Sequence, residues 1–473
     1  MSIDLDRLYA KLADRADTLQ PPTLDGIRHR ARQRRRGNAL TLVAACLAVL
    51  GTALGMRLLL APSAQVEPLR PVPPADSPFI PFDGAAPPVL RYDSPTRFAL
   101  SATVGDRSFA MWMAEDATEW VGGVDLTTGR ALWPPLSLGK FGDTNGMQVS
   151  AGAILLLTEQ GFGNPLVKDG SDTVVAVDPD TGKIAWTLPY NFNDCEWALF
   201  DDVIVLGCQE KHTVQALDLR TGKARWTSEV GAVQGGINPV RKLAEYYPVH
   251  GWSDGPTAGG KVVLHLTDGR VQVRDAATGT VAKELTMPVL PSDLRRQEFA
   301  VDGWLYQFVA GTFNRMPLDG SAAPVGGTLA AGASQLHPCA VAGRFCNAVS
   351  QGTESAVVTM VDAVAGQTVW RVEVPTQADD VIPSAHGLLV SGQNTTVLGM
   401  DGSTLSEIEG SAMWMESGDL LVFDQRNVSG FHLATRESLK LAELSSPARF
   451  CSWSSTMLTC PTAEGIAVYR YSR

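Results

Sequence analysis

From about residue 98 onward the chain is written in short apolar runs, each ended by a polar turn and followed by a second run. Val174, Val175, Ala176 and Val177 are β-branched or small, as a buried strand requires. Asp178 can then bond its own backbone two residues on. Gly182 supplies a positive-φ position, and the next strand runs toward Trp186. The same wording returns as V-V-A-V-D-P-D-T-G-K-I-A-W at 174–186, V-Q-A-L-D-L-R-T-G-K-A-R-W at 214–226 and V-G-G-V-D-L-T-T-G-R-A-L-W at 121–133. Degraded copies hold Asp275, Thr278 and Gly279, with Lys283 in the tryptophan position, and Asp362, Gly366 and Trp370. In every copy the aromatic or its substitute falls eight residues after the aspartate.

Each unit is therefore a hairpin carrying one large aromatic, which a lone hairpin cannot bury. Repetition at about 40–50 residues means a solenoid or a propeller, and radial stacking of four-stranded sheets solves the burial problem. The A-x-D-x-x-T-G-x-x-x-W wording resembles the pyrroloquinoline-quinone-like (PQQ-like) propeller repeat over roughly residues 98–471. That family includes quinone-dependent alcohol dehydrogenases and a scaffold lipoprotein of outer-membrane barrel assembly. The resemblance implies that Trp133, Trp186, Trp226 and Trp370 pack between blades.

Further strand-turn-strand stretches occur at 301–318, 386–400 and 419–433, and the segment 465–471 alternates as a final strand. Propellers close by pairing strands from both termini, which removes the free edge, and residues 88–98 are the expected N-terminal contributor. The expectation is an all-β propeller of eight four-stranded blades, within a range of seven to nine, preceded by one transmembrane helix.

Charge divides the chain. Residues 1–36 hold nine Lys/Arg against five Asp/Glu, and the other 437 hold 30 against 45. An acidic folded part behind a basic leader argues against nucleic acid as a partner. Residues 39–56 are uncharged and long enough to span a bilayer. Arg28, Arg30, Arg32, Arg34, Arg35 and Arg36 precede them, so the N-terminus is expected in the cytoplasm. A cleaved signal peptide would carry a shorter leader and apolar core, and the V-A-A-C stretch at 43–46 sits too early for a lipoprotein box. Ten prolines between Pro62 and Pro95 make an extended tether. The expected organisation is a cytoplasmic head at 1–37, a membrane helix at 38–60, the tether at 61–97 and an extracytoplasmic propeller at 98–473.

Cys46 lies in the membrane segment. The other six cysteines form three local pairs separated by 13, 7 and 9 residues, all odd. A hairpin with a two-residue turn sets residues of odd separation opposite each other, with Cα atoms about 4.5–5.5 Å apart. Turns at Asp201–Asp202, Ala342–Gly343 and Ser455–Thr456 oppose Cys195 to Cys208, Cys339 to Cys346 and Cys451 to Cys460. The alternative is free thiols or a metal site, but no C-x-x-C occurs. Three disulfides place the propeller in an oxidising compartment, in agreement with the charge-based topology.

Chemistry is harder to find. The quinone enzymes of the family hold their cofactor with adjacent cysteines, calcium ligands and a catalytic aspartate; this sequence has no Cys-Cys pair, and the other groups match no motif. The G-W-S-D-G stretch at 251–255 fits a nucleophile elbow by letter, but it lies between two apparent strands. The seven histidines are dispersed. No catalytic residue, metal or cofactor is expected.

Two features remain as binding candidates. The stretch from 228 to 260 departs longest from the repeat and contains Tyr246, Tyr247, His250 and Trp252; these form either a partner-binding loop or part of the fourth blade's inner strand. Asp194, Glu196, Asp201, Asp202 and Glu210 surround the first cysteine hairpin, as a binding patch or a solvated face. In the head, Leu5, Leu8, Tyr9, Leu12 and Leu19 form a partial helical stripe. The leader resembles those of membrane proteins associated with sigma-factor regulation, which implies a cytoplasmic regulator as partner. The reading is a single-pass, non-catalytic scaffold or sensor for an extracytoplasmic protein or ligand. The alternatives are a transmembrane relay of anti-sigma type and a quinone-dependent dehydrogenase.

Overall fold

The computed structural model describes residues 77–473, except 142, 160–171, 191–194, 209–211, 231–232, 247–256, 290–295, 310, 330–335 and 353. The predicted head, membrane segment and first part of the tether lie outside the described residues. Among the described residues no helix is long and apolar enough to cross a membrane.

The described chain forms nine four-stranded antiparallel sheets. Blades 1 to 8 use consecutive strands, at 96–139, 143–190, 195–229, 233–286, 296–328, 337–374, 380–409 and 411–443. Blade 9 joins Ser452–Trp453, Met457–Pro461 and Gly465–Arg470 to the N-terminal strand Leu90–Arg91, with Leu90 opposite Ile466. The expected count of eight is corrected to nine. It allowed for terminal units merging, but the N-terminus lends blade 9 only a two-residue strand while Thr96–Val104 starts a complete blade 1.

The N-terminal boundary also moves. Residues assigned to the tether dock on the propeller: Phe79 is buried, Ile80 N donates to Tyr471 O, and Phe82 stacks on Tyr469. Proline spacing read this piece as a free extended tether, but its phenylalanines find apolar seats in blades 8 and 9. The ring's last seam is sewn by hydroxyls. Thr103 of blade 1 shares a hydrogen bond with Ser452 of blade 9 at 2.8 Å, and Ser101 donates to Thr459 O at 3.0 Å.

The repeat turn folds as its letters require. Asp178 Oδ1 accepts from Asp180 N, Asp218 Oδ1 from Thr221 N and Asp275 Oδ1 from Thr278 N, all within 2.8–2.9 Å. Gly182 and Gly222 take φ of 70° and 65°, the left-handed region where a side chain is strained. A second demand acts on the same glycines. A Cβ at Gly182 would stand 2.7 Å from the Trp133 ring of the preceding blade, and one at Gly222 would stand 2.5 Å from Trp186. Each tryptophan also donates its indole N–H to a carbonyl in the next blade: Trp133 to Pro179, Trp186 to Leu219, Trp226 to Ala276 and Trp370 to Met400. The tryptophan of one blade and the glycine turn of the next are one staple. In blade 4 the stem of Lys283 fills the slot, its Cε 2.9 Å from where a Cβ on Gly320 would stand.

One detail differs from a fully buried inter-blade aromatic. Trp133 is buried, whereas Trp186, Trp226 and Trp370, on the equivalent fourth strands, are half-buried.

All three expected disulfides are present, with Cα atoms 4.0 Å apart for Cys195–Cys208, 5.8 Å for Cys339–Cys346 and 4.2 Å for Cys451–Cys460. Cys195 faces Cys208 directly, and the pairing of Ser452 with Thr459 places Cys451 opposite Cys460. The middle hairpin is corrected. His337 pairs with Cys346 and Cys339 N bonds Arg344 O, so this disulfide bridges diagonal neighbours around a longer turn.

Candidate binding face

Turns between the first and second strands sit beside turns between the third and fourth. Leu219 N bonds Asp202 O in blade 3, Ala276 N bonds Gly260 O in blade 4, and Ala363 N bonds Gly343 O in blade 6. The turns between first and second strands and the Asp-x-x-Thr-Gly turns therefore share one end of the propeller, the upper face; Cys339–Cys346 lies beside such a turn, whereas Cys195–Cys208 ties the far ends of its two strands.

On this face lies the segment between the first and second strands of blade 4. Arg241 makes a parallel bridge with Val301 of blade 5, and Leu243 N bonds Asp302 Oδ1 at 3.0 Å. At its other end Thr257 makes a parallel bridge with Phe200 of blade 3. Its two described ends are thus pinned, one to blade 5 and the other to blade 3. Val233–Pro239 is the inner strand of blade 4, and Tyr246 ends the short 3-10 helix Leu243–Tyr246 beyond it. Tyr247, His250 and Trp252 lie outside the described residues, as does the G-W-S-D-G stretch.

Two acidic residues of the first disulfide hairpin, Asp202 and Glu196, have local partners. Asp202 pairs with Arg225 at 2.8 Å, and Arg225 also holds Asp218 at 2.8 Å. Hydrogen bonding from Arg225 keeps the Asp218 carboxyl below the usual carboxylate range. Glu196 Oε2 accepts from Ile237 N of blade 4. Asp194 and Glu210 lie outside the described residues.

Beside the pinned segment a cavity of about 240 Å³ opens between blades 5 and 6, lined by Leu243, Trp304, Tyr306, Arg315, Arg344 and Val364 among others. The Arg315 guanidinium carbon lies 4.9 Å from the centre of the Trp304 ring, a cation–π contact. Burial raises the Tyr306 phenol pKa, partly opposed by the nearby Arg315 charge. No sequence motif pointed to this pocket.

A buried polar cluster that sequence reading also missed closes the seam of blades 4 and 5. His265 Nδ1 lies 2.8 Å from Glu298 Oε1, Gln307 Nε2 donates to the same oxygen at 2.8 Å, and Asn238 Nδ2 donates to Glu298 Oε2 at 3.3 Å. Its members sit on separate strands, so no local signal announces them. In blade 8, Asp419 accepts from Ser417 and faces His432 Nδ1 at 2.5 Å. The carboxylate stands between hydroxyl and imidazole, the reverse of what a nucleophilic serine needs. Among the described residues no three His, Cys, Asp or Glu side chains gather as a metal site.

Comparison with known proteins agrees with this architecture. Residues 117–300 match the family model PQQ_2, described as outer membrane protein assembly factor BamB. No curated protein matches the sequence. Among solved structures the chain is similar to BamB from Moraxella catarrhalis, at 15% identity and TM-score 0.42, covering 71% of this chain and 92% of that one. It is also similar to a europium-containing methanol dehydrogenase at 12% identity and TM-score 0.41, covering 74% and 85%. A eukaryotic initiation factor gives 12% identity and TM-score 0.49, covering 76% and 91%. The matched residues run from blade 1 to the first strand of blade 5, and this part of the propeller carries PQQ-like repeats.

Proposed function

We propose that this chain is a membrane-anchored, non-catalytic scaffold whose propeller stands outside the cytoplasm and binds another protein through its upper face. The observation that carries this reading is that Arg241 and Leu243, fixed to blade 5, and Thr257, fixed to blade 3, share this face with the disulfide-stapled turn of blade 6. A surface already held in place loses little freedom on binding, so more of its contact energy appears as affinity. The likeness to BamB supports protein binding at the level of the repeat family. The repeat tryptophans support the non-catalytic reading, since their rings and indole N–H groups are engaged at blade seams. Anchoring rests on the uncharged stretch at 39–56 behind six arginines, and the outside location on that charge pattern and the three disulfides.

The test is a pull-down with the intact membrane protein against head-deleted and propeller-deleted forms. The head-deleted form should keep its protein partner and the propeller-deleted form should lose it. The reverse result would replace this reading with a relay working through the head. Topology has its own prediction. A reporter fused after Arg473 should be active only outside the cytoplasm, and neutralising Arg28, Arg30, Arg32, Arg34, Arg35 and Arg36 should give mixed orientations. Cytoplasmic activity on the unaltered chain would overturn the anchored arrangement.

A further inference from the structure

The pocket between blades 5 and 6 sits where the repeat breaks its own rule. In the regular blades a small or apolar residue on the third strand faces the aromatic on the fourth: Gly123 faces Trp133, Ala176 faces Trp186, Ala216 faces Trp226 and Met360 faces Trp370. In blade 5 the matching pair is Arg315 and Val325. The aromatic has become a valine that is 48% exposed, and the small residue has become an arginine. Trp304, at the place Val203 holds in blade 3, lies under the guanidinium.

This substitution has a cost. Arg315 Nε is buried without a hydrogen-bond partner, and no carboxylate among the described residues lies within ion-pair distance of Arg315 or Arg344. Arg344 makes only a long contact to the Met360 sulfur. Asp302, at the rim, has its carboxylate on Leu243 N. A buried donor left unpaired is destabilising, so an arginine here is out of keeping with a purely structural role. The residues after 36 carry 45 acidic against 30 basic groups, whereas this cavity sets two guanidiniums against one lining carboxylate, Asp302.

We propose that this pocket receives an acidic side chain, glutamate or aspartate, from a protein docked on the upper face. The carboxylate meets Arg315 with Arg344 beside it, and Trp304 and Tyr306 cover the methylenes. A planar guanidinium matches a carboxylate through paired hydrogen bonds, and a stacked one is held ready for it. A cavity of about 240 Å³ suits a side chain rather than a folded element. The proposal rests on the scaffold reading and names the chemistry of its partner.

The test uses the full chain in detergent and two probes, acetyl-Phe-Glu-Phe-amide and acetyl-Phe-Gln-Phe-amide, followed by ligand-observed NMR. The glutamate peptide should bind on the order of tenfold more tightly, the size of one good charge-assisted hydrogen bond. Arg315→Met should erase that preference. This variant places in blade 5 the residue that Met360 supplies in blade 6, so it should fold and unfold at equal or higher urea. Equal binding of the two peptides, binding of neither, or a preference that survives Arg315→Met would overturn the proposal. A pull-down with Arg315→Met separates the two readings. Loss of the partner captured by the unaltered chain supports the pocket, whereas unchanged capture dismisses the pocket and leaves the scaffold standing.

Discussion

Trp133→Ala is expected to destabilise the propeller by about 3–5 kcal/mol, the range for a large aromatic removed from a core. The ring is 7% exposed, lies against Gly182 of the next blade, and bonds Pro179 O at 3.2 Å. Truncation therefore opens a cavity and leaves a carbonyl without its donor at the same seam. Trp186→Ala, Trp226→Ala and Trp370→Ala should cost less, about 2–3 kcal/mol, because half-exposed rings have less transfer energy to lose. Urea unfolding of the disulfide-intact chain, followed by circular dichroism, measures the order. Stability unchanged in all four would mean that these rings do something other than hold blades together, and the case for a ligand at the tryptophans would reopen.

Glu298→Ala is expected to cost as much, about 3–5 kcal/mol, by a different route. Its carboxylate is the acceptor for the Gln307 and Asn238 amides and the neighbour of His265 Nδ1, in a seam where the His265 and Glu298 side chains have no exposure. Removing the acceptor leaves buried donors unpaired, and each such group costs about 1–3 kcal/mol. Glu298→Gln should recover part of the loss by offering one carbonyl oxygen. A double-mutant cycle between Glu298→Ala and His265→Leu should show coupling, because the two side chains share one network. Strict additivity would contradict the contact as described.

These two residues also show which parts of the molecule were legible in the sequence. Trp133 was, because its signal is local: an aspartate that makes a turn, a glycine that needs positive φ, and an aromatic eight residues after the aspartate. Glu298 was not, because its partners come from other strands and two of them from another blade. The cysteine argument shows the limit between the two. Odd separation identified the three bonded pairs, yet parity fixes only which side of a hairpin a residue points to. Registers that set Cys339 opposite Cys346 or opposite Arg344 have the same parity, so the longer turn went unseen. Blade number is a property of ring closure, settled by how many sheets fit between the termini rather than by any one repeat. Arg315 was hidden for a related reason. Blade 5 has Pro317 where its neighbours have the turn aspartate, so the eight-residue spacing had no origin, and only strand pairing identifies Val325 as the missing aromatic.

The proposed scaffold function requires a protein bound to the upper face, and crosslinking from each face tests it directly. A photoreactive benzoylphenylalanine is placed at Val341, exposed on the stapled turn of blade 6, or at Gln393, exposed on the opposite face. In intact membranes Val341 should give a discrete protein adduct that disappears when the propeller of a competing unlabelled copy is present in excess, and Gln393 should give none. Adducts from neither position, or equal adducts from both, would contradict a protein-binding upper face.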